Sequence, residues 1–248
     1  MASRTVGDDL IHELFADPQH PLATRVSYWL GASRSFVDFV ATYRTKIRKK
    51  IRTATDAGSV LDLHLELETA FLLLNERRFS VVYEPYDREA RSPDFAVTLT
   101  TSTTFNVEVT RLRRPTRDVG GNGDTASTDV DRLANVVIGK LRQLRAQMSN
   151  VVIVQVSAVP DAGSIEAALG RMRLRAEHRD PTLLDRHAFR DPADFVKHYQ
   201  RLSAVLVRPE QLGSQPIVWW INGQARPALQ ARILNLIGVQ HAASATAS

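Results

Sequence analysis

The run VVIVQVSAV at 151–159 restricts the architecture more than any other stretch of this chain. It is too short for a membrane span, which needs about 18 apolar residues. Its valines and isoleucine favour extended backbone. A near-continuous apolar run of this kind suits a strand covered on both faces, as in a parallel or mixed sheet. The rest of the chain must therefore supply helices to cover it, and the expected class is α/β.

The chain has the material to do so. Its 248 residues with 44% hydrophobic content suit one large domain, or one domain with an added helical layer. There is no cysteine, which excludes disulfide scaffolds, thiol nucleophiles and cysteine zinc sites together. The N-terminus, MASRTVGDDLIHEL, lacks the apolar stretch of a signal peptide, and no apolar run reaches membrane length. A soluble protein of the reducing cytoplasm is expected, with no membrane partner. The net charge of +5 permits an anionic partner without identifying one.

Helical spacing marks 22–30 and 34–53, separated by Gly31. The second of these ends in Arg44, Lys46, Arg48, Lys49, Lys50 and Arg52, a solvated face with cations where the helix dipole favours them. LDLHLELE at 61–68 alternates like a strand, but it has no β-branched residue and runs into the strong helix formers of ETAFLLLNERR. We read 61–76 as helix. On a helical wheel Asp62, Glu66, Thr69 and Leu73 share one side, and Glu68 falls with His64 in an apolar arc made by Leu61, Leu65, Phe71 and Leu72. A carboxylate in that arc needs a partner. Strands follow at 79–85, 94–100 and 105–112, then a Gly-rich loop at 115–128, and a helix at 129–148 capped by Thr128. Beyond the 151–159 strand come a helix at 163–178, a connector between Pro181 and Pro192, a helix at 192–201, strands at 202–207 and 216–222, and a helix at 227–238. The expected division is an N-terminal helical extension at 1–57, an α/β domain at 58–240 and a tail at 241–248.

The hairpin 94–110 carries the chemistry. Phe95, Val97 and Leu99 face one way, as do Phe105, Val107 and Val109 on the next strand. A turn centred near residue 102 sets Asp94 across from Thr110 and Ala96 across from Glu108. Asp94 and Glu108 then meet at the open end of the hairpin, on its polar side. Two carboxylates so close repel unless a proton or cation lies between them. Oxygen ligands without His or Cys suit a hard cation, Mg²⁺ or Mn²⁺.

The order helix, three strands, helix, strand, with Pro93-Asp94 at a strand start and Glu108-Val109-Thr110 on the next strand, resembles the PD-(D/E)XK nuclease superfamily over about residues 60–160. The resemblance implies a restriction endonuclease-like mixed sheet flanked by helices and a metal-dependent phosphodiesterase acting on DNA. It implies that Asp94 and Glu108 bind Mg²⁺ or Mn²⁺, with Glu68 as the accessory carboxylate and Glu66 in its place if the helix phase differs. Homodimers are common in the superfamily. The chain departs from the family pattern at Thr110, where a lysine is expected to orient the attacking water. Lys140, on the 129–148 helix, is the nearest substitute. Arg111, Arg113, Arg114 and Arg117 are the candidates to hold a nucleic-acid backbone, although Arg111 should face away from Glu108.

The other motifs point elsewhere or nowhere. The seven histidines show no zinc spacing. GGNGD at 120–124 is neither a P-loop nor a Rossmann fingerprint, because no strand leads into it. Trp219 and Trp220, in an apolar strand, read as core or interface. The competing function is a catalytically inactive nuclease-fold protein that binds nucleic acid or serves in assembly, and the lysine-to-threonine change favours it.

Overall fold

The computed structural model describes residues 6–86, 92–100, 103–113 and 128–243. A six-stranded mixed sheet runs through its centre, with strands β1 (Phe79–Tyr83), β2 (Phe95–Leu99), β3 (Thr103–Arg111), β4 (Ser149–Val156), β5 (Leu202–Pro209) and β6 (Val218–Ile221) side by side in sequence order. β1, β2 and β3 form an antiparallel meander, β3 to β4 and β4 to β5 are parallel, and β6 returns antiparallel.

Each parallel joint requires a crossover. Helix α5 (Asp129–Lys140) makes the first, and α6 (Ala162–Glu177), α7 (Pro181–Arg186) and α8 (Pro192–Tyr199) make the second. Their apolar sides pack with Val152, Val154, Val205 and Val207 on one face of the sheet. On the other face lie α1 (Val6–Leu14), α2 (Ala23–Ala32), α3 (Arg34–Thr53), α4 (Ala57–Leu74) and α9 (Ala231–Ala243), packed with Val151, Ile153, Ala204 and Leu206. β4 is thus apolar on both faces, as its sequence requires. α1–α3 bury Leu14, Val26, Trp29, Phe36 and Ile47 in the same core as the sheet, so the N-terminal helices are continuous with the α/β layers.

Segment 61–68 is helical, as expected. α4 begins with a reciprocal cap in which Asp56 Oδ1 accepts from the Ser59 N–H and Ser59 Oγ accepts from the Asp56 N–H. It lies between the sheet and neighbouring helices, so Leu63, Leu65, Leu67 and Ala70–Leu73 are buried around much of its circumference. The strand-like alternation reflects a helix with neighbours on several sides.

Thr128 caps α5 through Oγ1, which accepts from the Asp131 N–H. The helix is shorter than its stripe suggests. It ends at Lys140 and tightens into a 3₁₀ turn at Leu141–Gln143. The buried Asn150 side chain then holds the turn into β4 through the backbone of Arg145 and Met148. The connector 181–192 contains α7, with Pro181 in its first turn, and α9 starts four residues later than the expected 227. No described helix is long and apolar enough to cross a membrane.

Candidate active site

The hairpin brings the two acids closer than the sequence suggests. Leu99 pairs with Thr103, Ala96 with Asn106 and Phe95 with Val107. The expected pairing of Ala96 with Glu108 is therefore displaced by two residues, which leaves every side chain on its expected face. The same register carried one step further sets Asp94 level with Glu108. Asp94 Oδ2 accepts from the Val109 N–H at 2.7 Å, which fastens the start of β2 to the β3 backbone beside Glu108.

Glu108 is buried, at 2% exposure, and belongs to the sheet face covered by α5. Lys140, in the last turn of α5, donates from Nζ to Glu108 Oε1 at 2.8 Å. The early end of α5 matters here, because the negative pole of the helix dipole favours an ammonium at that point. Glu108 Oε2 is buried and has no hydrogen-bond partner among the described residues.

Burial raises the Glu108 carboxyl above its ordinary range, Lys140 opposes the rise and Glu66 adds to it. Burial, and then the negative charges of Glu108 and Glu66, hold Asp94 well above the carboxylate range, against the Val109 N–H and Lys140. For Lys140, burial works to lower the pKa, but Glu108 and Asp94 reverse the direction and raise it, so the side chain stays an ammonium. The pair of acids is a place that favours added positive charge.

A cleft of about 500 Å³ opens beside this cluster, lined in part by Asp94, Thr110, Lys140, Glu66, Lys50 and Arg113. Thr110 therefore stands in the cleft, two residues along β3 from Glu108. Glu66, 8% exposed, accepts from Lys50 Nζ at 2.6 Å, and the same ammonium pairs with Glu84 Oε1 at 2.7 Å. Lys50 also lies over the Tyr83 ring, 4.8 Å from its centroid. Glu68 goes elsewhere. Its Oε2 pairs with Nη2 of the fully buried Arg208 on β5, away from Asp94 and Glu108. The helix phase that put Glu68 with the acids is corrected to one that puts Glu66 there. With apolar neighbours on several sides of α4, the apolar arc of the wheel could not say which side meets the end of the hairpin.

The arginines divide. Arg111 is held on α4, where Nε donates to Asp62 Oδ1 at 2.7 Å and Nη2 to the Gly58 carbonyl at 2.9 Å, and only 12% of its side chain is exposed. Arg113 is largely exposed and pairs with the other oxygen of Asp62. Arg114, Arg117 and the GGNGD segment lie outside the described residues. His64 packs against Trp29 and, as burial lowers its pKa, stays neutral. The residue that sequence reasoning missed is Lys50. It was legible only as one cation of a basic helix end, and nothing local distinguishes it from Lys49, which is exposed.

Among the described residues no group of three or more His, Asp or Glu side chains is arranged to hold a metal ion. Mg²⁺ keeps most of its waters and is commonly held by one or two carboxylates together with substrate phosphate. Asp94 and the unpartnered Oε2 of Glu108 fit that lighter requirement. No protein-family model matches the sequence, and neither a curated protein nor a solved structure is found to be similar to it.

Proposed function

We propose that the protein is a divalent-metal-dependent phosphodiesterase acting on DNA, built on a restriction endonuclease-like core. The observation that carries this reading is the contact of Lys140 with Glu108 beside Asp94, in a cleft open to solvent. The order α4-β1-β2-β3-α5-β4 and the antiparallel meander joined to a parallel strand support it. Under this reading the lysine absent two positions after Glu108 is supplied from α5.

Asp94 and Glu108 would hold Mg²⁺ or Mn²⁺. When bound, such a metal supplies Lewis-acid polarisation of a phosphoryl oxygen and lowers the pKa of a coordinated water. Lys140, with its raised pKa, acts as a charged donor and not as a proton acceptor, orienting the attacking water and offsetting charge on the phosphate. Thr110 presents a hydroxyl to the same cleft. Arg113 is the exposed cation at its margin, suited to a backbone phosphate. Glu66, neutralised by Lys50, keeps negative charge near the two acids without adding a full repulsion.

The test is nicking of supercoiled plasmid in Mg²⁺ or Mn²⁺ by wild type, Asp94→Ala and Lys140→Ala. Nicking by wild type that chelator and either substitution abolish supports the reading. Folded wild type without nicking, but with DNA binding, would establish the alternative of a catalytically silent binding module. That no three acids among the described residues are arranged to hold a metal ion together is the observation that favours that alternative.

A further inference from the structure

A second cleft of about 390 Å³ shares Arg111 and Arg113 with the first and continues past the end of β3, between α5 and α7. Its polar lining is cationic or neutral: Arg113, Arg132, Arg186, His187 and Asn135, with the docked Arg111 at the shared border. No acid lines it. The carboxylates that pair with these arginines are Asp62, shared by Arg111 and Arg113, and Asp129, which takes Arg132 at 2.6 Å. Among the described residues these four guanidinium groups face two ion-paired carboxylates and the exposed Asp56 near Arg113, so the described lining carries more positive than negative charge. Arg186 is exposed at the end of α7 and makes no hydrogen bond or ion pair among the described residues.

The cleft is also built rather than incidental. Arg132 Nη2 donates to the Arg113 carbonyl and so ties α5 to the end of β3. His187 packs on Gly139, whose neighbour in the chain is Lys140, and its Nε2 lies 3.4 Å from Asn135 Oδ1. Burial, and then Arg186 and Arg175, hold the His187 ring neutral, so it can accept or donate a hydrogen bond beside the arginines. Guanidinium forks aimed into one groove match phosphate oxygens better than any neutral ligand.

We infer that this second cleft binds a backbone phosphate of the DNA strand whose neighbouring phosphodiester lies at the Asp94–Glu108–Lys140 cluster, with Arg186 and Arg132 as the contacting cations. The inference rests on the phosphodiesterase reading of the first cleft. It gives the substrate a direction, from the acidic site across the end of β3 toward α7. A phosphate contact of this kind carries no base specificity.

Binding of a short DNA duplex in Ca²⁺ buffer, followed by anisotropy over a salt series, tests it without requiring turnover. Arg186→Gln and, separately, Arg132→Gln are compared with wild type, and circular dichroism checks that each variant is folded. Each substitution is expected to weaken binding about tenfold and to lower the slope of log affinity against log salt by about one. The ring resonances of His187 should shift on addition of duplex. Unchanged affinity and slope in both variants, with an unmoved His187, would overturn the inference. If wild type still nicks plasmid in that case, the reading of the first cleft survives. A His187 shift with inorganic phosphate but not with duplex would also overturn the inference, in favour of a free-anion site. Intact duplex binding that depends on Arg186 in a protein that never nicks would uphold the second cleft and sink the catalytic reading of the first.

Discussion

Replacing Lys140 by methionine isolates the interaction on which the site depends. The ammonium lies 2.8 Å from a carboxylate whose side chain is 3% exposed, while its own side chain is 26% exposed. At an effective dielectric constant of about 20, two unit charges at that separation attract by about 6 kcal/mol. The cost of losing the lysine is capped lower, because Glu108 can take up a proton. Holding a carboxyl of ordinary pKa about 4.3 protonated at pH 7 costs about 3.7 kcal/mol. Burial has already raised the wild-type carboxyl, so part of that cost is present before the substitution. The expected loss of stability at pH 7 is therefore about 2–3 kcal/mol. Its pH dependence has a definite sign. A carboxyl with a raised pKa in the folded state carries no penalty below its unfolded pKa and an increasing one as pH rises toward the folded value. The difference between Lys140→Met and wild type should thus be small below about pH 4 and widen toward neutrality. Urea unfolding at acid and neutral pH measures it, and Glu108→Gln in the Lys140→Met background should recover most of the loss. A loss equal at both pH values, or one that Glu108→Gln does not relieve, would refute the buried ion pair.

Other outcomes follow from the same geometry. Glu68→Gln leaves the fully buried Arg208 unpaired and should cost about 3–5 kcal/mol in urea unfolding, with metal affinity unchanged, whereas Glu66→Gln should alter metal affinity; the reverse pattern would return Glu68 to the site. Thr110→Lys in the Lys140→Met background places an ammonium two residues from Glu108 on the same strand face. It should restore part of the nicking that Lys140→Met loses, a loss expected at about 10²- to 10⁴-fold. No rescue in a folded double variant would count against Lys140 standing in for a strand lysine. Lys50→Met removes the cation that Glu66 and Glu84 share and should destabilise the protein in urea unfolding at neutral pH.

The layered architecture was legible because its signals are local and redundant. The two-faced apolar run of β4, the alternating hairpin residues and the Thr128 cap each demand one conformation, and the structure has all three. The pairing of Asp94 with Glu108 was legible in kind but displaced in register by two residues. Alternation fixes which face a side chain takes, whereas the partner opposite depends on turn geometry that the sequence TSTT does not specify. The choice of acid on α4 depended on which side of a many-sided buried helix meets the hairpin, and that is decided by long-range packing. Lys140 could be named because it sits on a helix directly following β3. Lys50 could not, because α3 reaches the cleft only through the tertiary arrangement of the N-terminal helices.

In the proposed site Asp94 and Glu108 hold a cation with Lys140 beside it. Calorimetric titration of Mn²⁺ into wild type, Asp94→Asn and Glu108→Gln tests it most directly. One saturable site is expected in wild type, weakened by at least tenfold in each variant while circular dichroism remains that of the folded protein. Wild type that is folded and takes up no Mn²⁺, or binds it equally well after both substitutions, would contradict the claim.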